Sequence, residues 1–273
     1  SGLTAIVIDE FHTYRGMTGA QVALVVRRML RIARHYGSDP IVIFLSATAA
    51  DPGATVARIL GVDRELVAVV DTDHSAQTSS RLLIARGRPI PTIDSGDEVL
   101  VVDGQREPPR RSAIREASEV AARAIEAGAS TLIFSRSRAG AETVSQLVQD
   151  ALRQRFSPFA DRVAAYRGGY LPEERRELEA GLRDGTIRAL ATTNALELGI
   201  DISGLDAVVM SGWPGTHASF RQQLGRAGRS GREGIGVLIA RDDPLVQYLA
   251  ENADTLLGQP VEAQVFDPGN PYV

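Results

Sequence analysis

The sequence has no cysteine and no lysine. Without cysteine, neither a disulfide nor a thiolate metal site can form among these residues, and the histidines at 12, 35, 74 and 217 are too scattered for a zinc motif. All 30 basic residues are arginine, which excludes a phosphate-binding loop of the G-x-x-x-x-G-K-[ST] type from this stretch. A GC-rich genome is the simplest cause of this arginine bias, but its chemical consequence holds regardless of cause.

Long apolar runs are also absent. No segment approaches the length of a membrane-spanning helix, and no charged region followed by an apolar one opens the chain. We therefore expect no membrane contact and a cytoplasmic location. The net charge is −4, so the protein has no overall positive field, and any nucleic-acid partner must bind in a locally basic groove.

The first informative segment is an apolar run, Ala5 to Ile8, followed directly by Asp9 and Glu10. This pattern predicts a fully buried parallel strand with two carboxylates at its carboxyl end, the end where open α/β sheets bind ligands. Such a pair suits a magnesium nucleotide, with Asp9 holding the metal through its water shell and Glu10 orienting or deprotonating the attacking water. A solvated acidic turn is the alternative when this segment is taken alone.

The remaining pattern alternates strands and helices, which predicts an α/β fold with parallel sheets and helices on both faces. Residues 1–71 read as a short piece of one lobe, with a helix over 20–36, a strand over 41–45, a helix from Asp51 to Gly61 and a strand over 66–70. Residues 72–110 read as a linker with entry strands. Residues 111–273 read as a complete second lobe, whose predicted strands are 131–134, 163–166, 187–192, 207–210 and 237–240.

A glycine-arginine segment near the end of the second lobe is the sharpest chemical signal. Arg226 and Arg229 stand three apart between glycines that let the backbone approach a ligand, and guanidiniums suit the terminal phosphate of a nucleotide. Delivered to carboxylates on another lobe, they would stabilise charge on the transferred phosphoryl group. A surface turn rich in glycine and arginine is the structural alternative.

Hydroxyl side chains follow two predicted strands. Thr192 and Thr193 are placed to bond a nucleic-acid phosphate, and Asp201 to reach a ribose hydroxyl or the neighbouring arginines. Ser46 and Thr48 follow the strand over 41–45 and are placed to link a nucleotide site to a lobe boundary. Each of these, taken singly, is more often a helix cap or a turn residue, so their order along the chain carries the argument.

Six segments in order resemble motifs II, III, IV, IVa, V and VI of superfamily 2 helicases: Asp9 to His12, Ser46 to Thr48, the strand at Phe134, Tyr166 to Gly169, Thr193 to Asp201, and Gln222 to Arg229. Within that superfamily, Ser135 to Arg138 and Trp213 to Gly215 are similar to the DEAD/DEAH-like DNA helicases of the mitomycin repair factor A branch. The resemblance implies two RecA-like lobes, the first partial here and the second complete. It also implies ATP-driven translocation on single-stranded or tailed DNA, 3′-to-5′ unwinding and a role in DNA repair.

The resemblance also implies site residues by position. Asp9 would coordinate Mg²⁺ and Glu10 would activate water, while Arg226 and Arg229 would act as arginine fingers on ATP and Gln222 would sense the nucleotide. Gly199 and Asp201 would belong to the nucleotide site. The coupling residues would be His12, Ser46 and Thr48, and the residues facing the DNA backbone would be Arg136, Arg138, Arg167, Gly168, Thr192 and Thr193.

Two parts of the family pattern are missing from these residues: the motif I region with its lysine, and a C-terminal cysteine-rich metal domain. We therefore expect this chain to be inactive as an ATPase by itself and to need those regions of the same protein. Two alternatives stay open. One is a natural non-catalytic module that binds DNA or a partner, and the other is an RNA helicase, for which the bound strand would tolerate or need a 2′-hydroxyl.

Overall fold

The structure is a computed structural model that describes residues 2–72, 80–90, 100–102, 105–107, 110–197, 202, 205–228, 233–241, 243–270 and 272. The chain forms two compact units. The first consists of Ser1–Ser75 together with Pro260–Val273, and the second of Ala76–Gln259. The predicted boundary of the second lobe at residue 273 needs correction, because residues 260–273 belong to the first unit. In this segment, Phe266 joins the apolar core of the first unit and Gln264 donates to the Phe11 carbonyl at 3.0 Å.

The first unit is a two-stranded parallel sheet with two helices: β1 (Ala5–Ile8), α1 (Gly16–His35), β2 (Ile41–Phe44) and α2 (Pro52–Leu60). Helix α2 has the predicted ends. Asp51 accepts from the Ala54 N–H at 2.9 Å, Pro52 occupies the first turn, and Gly61 ends the helix with φ of 71°, a left-handed conformation that glycine adopts at low cost.

Three sequence predictions for this unit are wrong. The strands β1 and β2 are not fully buried, since their residues alternate between exposed and half-buried, with Val7 59% and Ile41 70% exposed. In the described part of this unit, the half-buried residues Ile6, Ile8, Val42 and Phe44 pack with helices α1 and α2, and the alternate residues of each strand point away from that core. Residues 67–70 form no strand, because they pair with no neighbour, and a three-residue 3₁₀ turn, Arg64–Leu66, precedes them. Helix α1 begins at Gly16 rather than at residue 20.

The second unit contains the rest of the elements. In chain order they are β3 (Ser80–Arg86), β4 (Leu100–Val102), β5 (Gln105–Glu107), α3 (Ala113–Glu126), β6 (Thr131–Phe134), α4 (Arg138–Gln154), β7 (Val163–Ala165), α5 (Pro172–Asp184), β8 (Ala189–Thr192), β9 (Ala207–Ser211), α6 (His217–Leu224), β10 (Gly234–Ala240), α7 (Pro244–Glu251) and α8 (Ala253–Gly258). Six strands make one parallel sheet in the order β3-β10-β9-β6-β8-β7, while β4 and β5 form an antiparallel hairpin. Strand β3 lies in the region predicted as a linker with entry strands, and it forms an edge strand of this sheet.

The sheet has an apolar cluster on each face. Leu132 and Phe134 of β6 face one cluster, whereas Ile133 between them faces the other. Because successive strand residues point to opposite faces, a run of apolar residues serves a strand that is covered on both sides. The predicted α/β fold with helices on both faces is confirmed. In the described part of the chain, no helix has the length and apolar character needed to span a membrane.

Candidate functional site

The acidic pair of the first unit lies directly after β1. Glu10 has a left-handed backbone with φ of 50° and ψ of 40°, which costs a non-glycine residue about 1–3 kcal/mol. Local bonds hold this conformation: the Glu10 N–H donates to Asp9 Oδ1 at 2.8 Å, and the Thr13 hydroxyl donates to the Glu10 carbonyl at 2.8 Å. The turn therefore fixes where the two neighbouring carboxylates point.

His12 connects this acidic turn to the segment after β2. This residue is 4% exposed, and its Nδ1 lies 2.9 Å from Ser46 Oγ and 3.2 Å from Glu10 Oε2. The Ser46 hydroxyl donates to the Thr48 carbonyl at 3.1 Å, and the Thr48 N–H donates to Ser46 Oγ at 3.3 Å, so Ser46 links His12 to the backbone at Thr48. The structure thus brings together Glu10 and the three predicted coupling residues, although their role in coupling stays a prediction.

The second unit has a polar cavity of about 270 Å³ at the carboxyl edge of its sheet. It is lined by residues that follow three adjacent strands, among them Arg136 after β6, Asn194 after β8 and Gly212 after β9. Ligands of parallel α/β sheets bind at this edge. Two further lining residues, Ser219 and Gln223, come from helix α6.

Glu197 is the centre of the hydrogen bonds beside this cavity. Its carboxylate accepts from Ser219 Oγ at 3.0 Å and from Gln223 Nε2 at 2.5 Å, while its backbone carbonyl accepts from Arg226 Nη2. Burial raises the pKa of the Glu197 carboxyl, an effect that the hydrogen bonds and the nearby Arg226 charge partly offset. Sequence reasoning missed Glu197, although a carboxylate between Leu196 and Leu198 is a signal that it needed buried partners.

Arg226, predicted as an arginine finger, is only 6% exposed, and its guanidinium is held by the Glu197 carbonyl. Gln222, the predicted nucleotide sensor, is half-buried on α6. Three other predicted nucleotide-site residues, Gly199, Asp201 and Arg229, lie outside the described residues. The finger and sensor roles therefore stay predictions.

The predicted DNA-facing residues divide into exposed and buried ones. Arg136 and Arg138 are exposed after β6, and Thr193 is half-buried after β8. Arg167 pairs with Glu142, and its guanidinium lies 5.6 Å from the Tyr170 ring centroid. A side chain at the neighbouring Gly168 would meet Ala195 at 3.8 Å, so the backbone there is open.

Thr192 must be removed from this set. It is 0% exposed, because it is the last residue of β8 and pairs with Phe134 in the middle of a sheet covered on both faces. A hydroxyl in that position has no direct path to a phosphate on the surface.

Comparison with known proteins places these features in a family. Residues 110–231 match the helicase conserved C-terminal domain. The chain is 38% identical over 268 residues to the uncharacterized ATP-dependent helicase YprA of Bacillus subtilis, which covers 98% of this chain and 33% of that protein. It is 33% identical over 270 residues to the ATP-dependent helicase hrq1 of Schizosaccharomyces pombe, covering 98% of this chain and 24% of that protein.

Among solved structures, the DUF1998 helicase MrfA bound to DNA superposes with a TM-score of 0.85 and 37% identity, covering 99% of this chain and 34% of that one. MrfA with DNA and AMPPNP gives the same TM-score at 36% identity, covering 99% of this chain and 35% of that one. The sheet, the ordered motifs and these matches define the chain as a superfamily 2 helicase sequence with a RecA-like fold. Within that superfamily it belongs to the MrfA-like branch. It spans a quarter to a third of the length of these relatives.

Proposed function

We propose that this chain is part of an ATP-dependent DNA helicase that moves 3′ to 5′ along single-stranded DNA in DNA repair. One observation carries the proposal: over 99% of its length the chain superposes at a TM-score of 0.85 on a helicase solved with DNA and with AMPPNP. The proposed partners are therefore single-stranded or tailed DNA and ATP with Mg²⁺.

The first unit supports the proposal through its acidic turn. Mg²⁺ takes oxygen ligands and usually keeps several waters while it binds one or two carboxylates together with substrate phosphates. The exposed Asp9 carboxylate suits such a metal, and bound Mg²⁺ would neutralise charge on the phosphates of ATP. Glu10, on the same turn, would orient or deprotonate the attacking water, and the His12 to Ser46 bond would pass changes at that turn to the segment after β2.

The second unit would provide Arg226 and Arg229 for the charge that develops on the transferred phosphoryl group, with Gln222, Gly199 and Asp201 in the nucleotide site. Its DNA-facing set, corrected for Thr192, is Arg136, Arg138, Arg167, Gly168 and Thr193. These residues contact phosphates and read no bases, so we expect binding without sequence preference and with strong salt dependence.

The pairing of Arg167 with Glu142 gives a test of this DNA-facing set. Arg167→Gln is expected to weaken binding of a labelled single-stranded DNA about fivefold at 0.1 M salt, because one phosphate contact is lost. Glu142→Gln is expected to strengthen binding a few fold, because it removes the carboxylate that competes with phosphate for the guanidinium. Fluorescence anisotropy across a salt series measures both.

Opposite signs for these two variants distinguish a phosphate contact from general loss of structure. Equal affinities for wild type, Arg167→Gln and Glu142→Gln would contradict the DNA-facing assignment. An RNA strand of the same sequence serves as the second probe. Tighter binding of RNA than of DNA would support the RNA-helicase alternative, because only RNA offers 2′-hydroxyls.

A further inference from the structure

A second cavity, of about 520 Å³, lies in the second unit where β3 and β10 end. Four arginines line it: Arg110 and Arg111 before α3, Arg136 after β6, and Arg241 after β10. These residues come from three separate places in the chain, and the order of the strands brings them to one side of the sheet. These four residues define the arginine cavity.

The backbone around the arginine cavity is tightly built. Arg110 Nη1 donates to the Gly87 carbonyl at 3.3 Å, and the Arg111 N–H donates to the Arg88 carbonyl at 2.9 Å. A Cβ at Gly87 would lie 2.0 Å from the Arg111 carbonyl oxygen, so only glycine permits this approach of the two segments. Hydrogen bonds and a close backbone contact therefore fix the segment at Gly87 and Arg88 against the segment at Arg110 and Arg111.

Arg241 is placed by a second glycine. A Cβ at Gly212 would lie 2.8 Å from Arg241 Cδ, and Gly212 has φ of 101°, where a side chain is strained. The arginine stem consequently lies across the end of β9. Arg111, Arg136 and Arg241 are exposed, and within the described part of the chain no carboxylate forms an ion pair with any of them.

The charge of the arginine cavity is strongly positive. Asp243 is the acidic residue among the lining residues, and its carboxylate already accepts the Leu245 N–H at 3.0 Å as the cap of α7. The amino ends of α3 and α7 also line the cavity, and helix amino ends carry partial positive charge. Among the described lining residues, the exposed guanidiniums of Arg111, Arg136 and Arg241 face one carboxylate, which suits a polyanion.

The cavity also continues the proposed DNA-facing surface. Arg136 lines both the arginine cavity and the 270 Å³ cavity that contains Asn194 and Gly212. Small-molecule sites are mostly apolar with a few polar groups, whereas exposed guanidiniums along a sheet edge are typical of contacts to a nucleic-acid backbone. Two or more phosphates of one strand fit this arrangement better than one small anion does.

We propose that the arginine cavity binds backbone phosphates of the same single strand, extending its path from Arg136 to the ends of β10 and β3. Arg111 and Arg241 are the residues that this proposal adds. It rests on the proposed function, since it lengthens the track of a DNA strand on the second unit.

The test compares Arg111→Gln, Arg241→Gln and the double variant with a control, Arg183→Gln, in the whole 273-residue chain. Arg183 is exposed and lines a cavity with Ser130 and Asp206, which precede β6 and β9 at the opposite edge of the sheet. For single strands each phosphate contact contributes about 0.7 to the slope of log affinity against log salt, or about fivefold in affinity at 0.1 M salt. We therefore expect about fivefold weaker DNA binding for each single variant and about 25-fold for the double variant, with no change for Arg183→Gln.

The outcomes separate this inference from the proposed function. Weakening by Arg167→Gln with no effect at Arg111 and Arg241 would overturn the inference and leave the proposed function in place. Weakening at Arg111 and Arg241 alone would support the inference and count against Arg167. Equal weakening in Arg183→Gln, or no binding of DNA by the wild type, would overturn it. Unchanged circular dichroism and thermal unfolding confirm that the variants are folded.

Discussion

The 273-residue chain is expected to hydrolyse ATP no faster than its Glu10→Gln variant, with or without single-stranded DNA. Phosphoryl transfer depends on positioning and on charge stabilisation around the phosphates. No residue of this sequence is a lysine, so the lysine of a phosphate-binding loop is not available to hold the β- and γ-phosphates. Asp9 and Glu10 would provide a metal ligand and a base, but the group that holds the β- and γ-phosphates in place would be missing.

Phosphate release measured with purified wild type and Glu10→Gln checks this prediction. Turnover that is the same in both proteins would come from a contaminating ATPase. Turnover that rises with DNA and disappears in Glu10→Gln would refute the prediction, and it would mean that another group of this chain holds the nucleotide. Arg31→Gln is a surface control, because Arg31 is exposed on helix α1.

Glu197→Ala is expected to lower the free energy of unfolding of the second unit by about 3 kcal/mol. The change removes the acceptor of two donors, Ser219 Oγ and Gln223 Nε2, and each buried donor left without a partner costs about 1–3 kcal/mol. Urea unfolding followed by tryptophan fluorescence measures the loss. Trp213, the single tryptophan of the sequence, is 7% exposed and packs 5.3 Å from the Phe220 ring on helix α6.

Glu197→Gln is the matched control, and it should be destabilised much less, because an amide keeps an acceptor for Gln223 and has no charge to bury. A loss of similar size in both variants would show that the negative charge, rather than hydrogen bonding, maintains this cluster. A loss below about 1 kcal/mol in Glu197→Ala would show that water replaces the carboxylate, and that the cavity is more hydrated than its lining suggests.

We also expect the stability difference between wild type and Glu197→Gln to depend on pH. Because burial raises the pKa of Glu197 in the folded protein, the folded state holds this proton more tightly than the unfolded state does. The resulting stability is fully present below the unfolded pKa, about 4.3 for a free carboxyl group, and it is lost as pH rises through the folded pKa. Relative to Glu197→Gln, wild type should therefore lose stability as pH rises from 4 toward neutrality. A flat difference between the two would contradict the predicted shift.

Much of the fold was predictable from local features. The strands near 131–134 and 207–210 were predicted from runs of apolar β-branched and aliphatic residues, and the ends of α2 from Asp51 and Gly61. These features depend on residues within a few positions of each other, so a local pattern determines them. Whether a strand is buried on one face or on both was less predictable, as β1 and β2 show. The residues of a strand do not determine how many helices cover its sheet.

For the candidate site, too, local features were predictable from the sequence and long-range contacts were not. The sequence by itself determined the acidic pair after β1, the order of the helicase motifs, and the absence of a lysine or a thiolate site. Only the tertiary structure decided that Thr192 is buried, that Glu197 joins α6 to the segment after β8, and that arginines from three parts of the chain share one cavity. The physical reason is that these contacts join residues far apart in sequence, so they depend on the order in which the strands pair and on which side of the sheet each loop emerges.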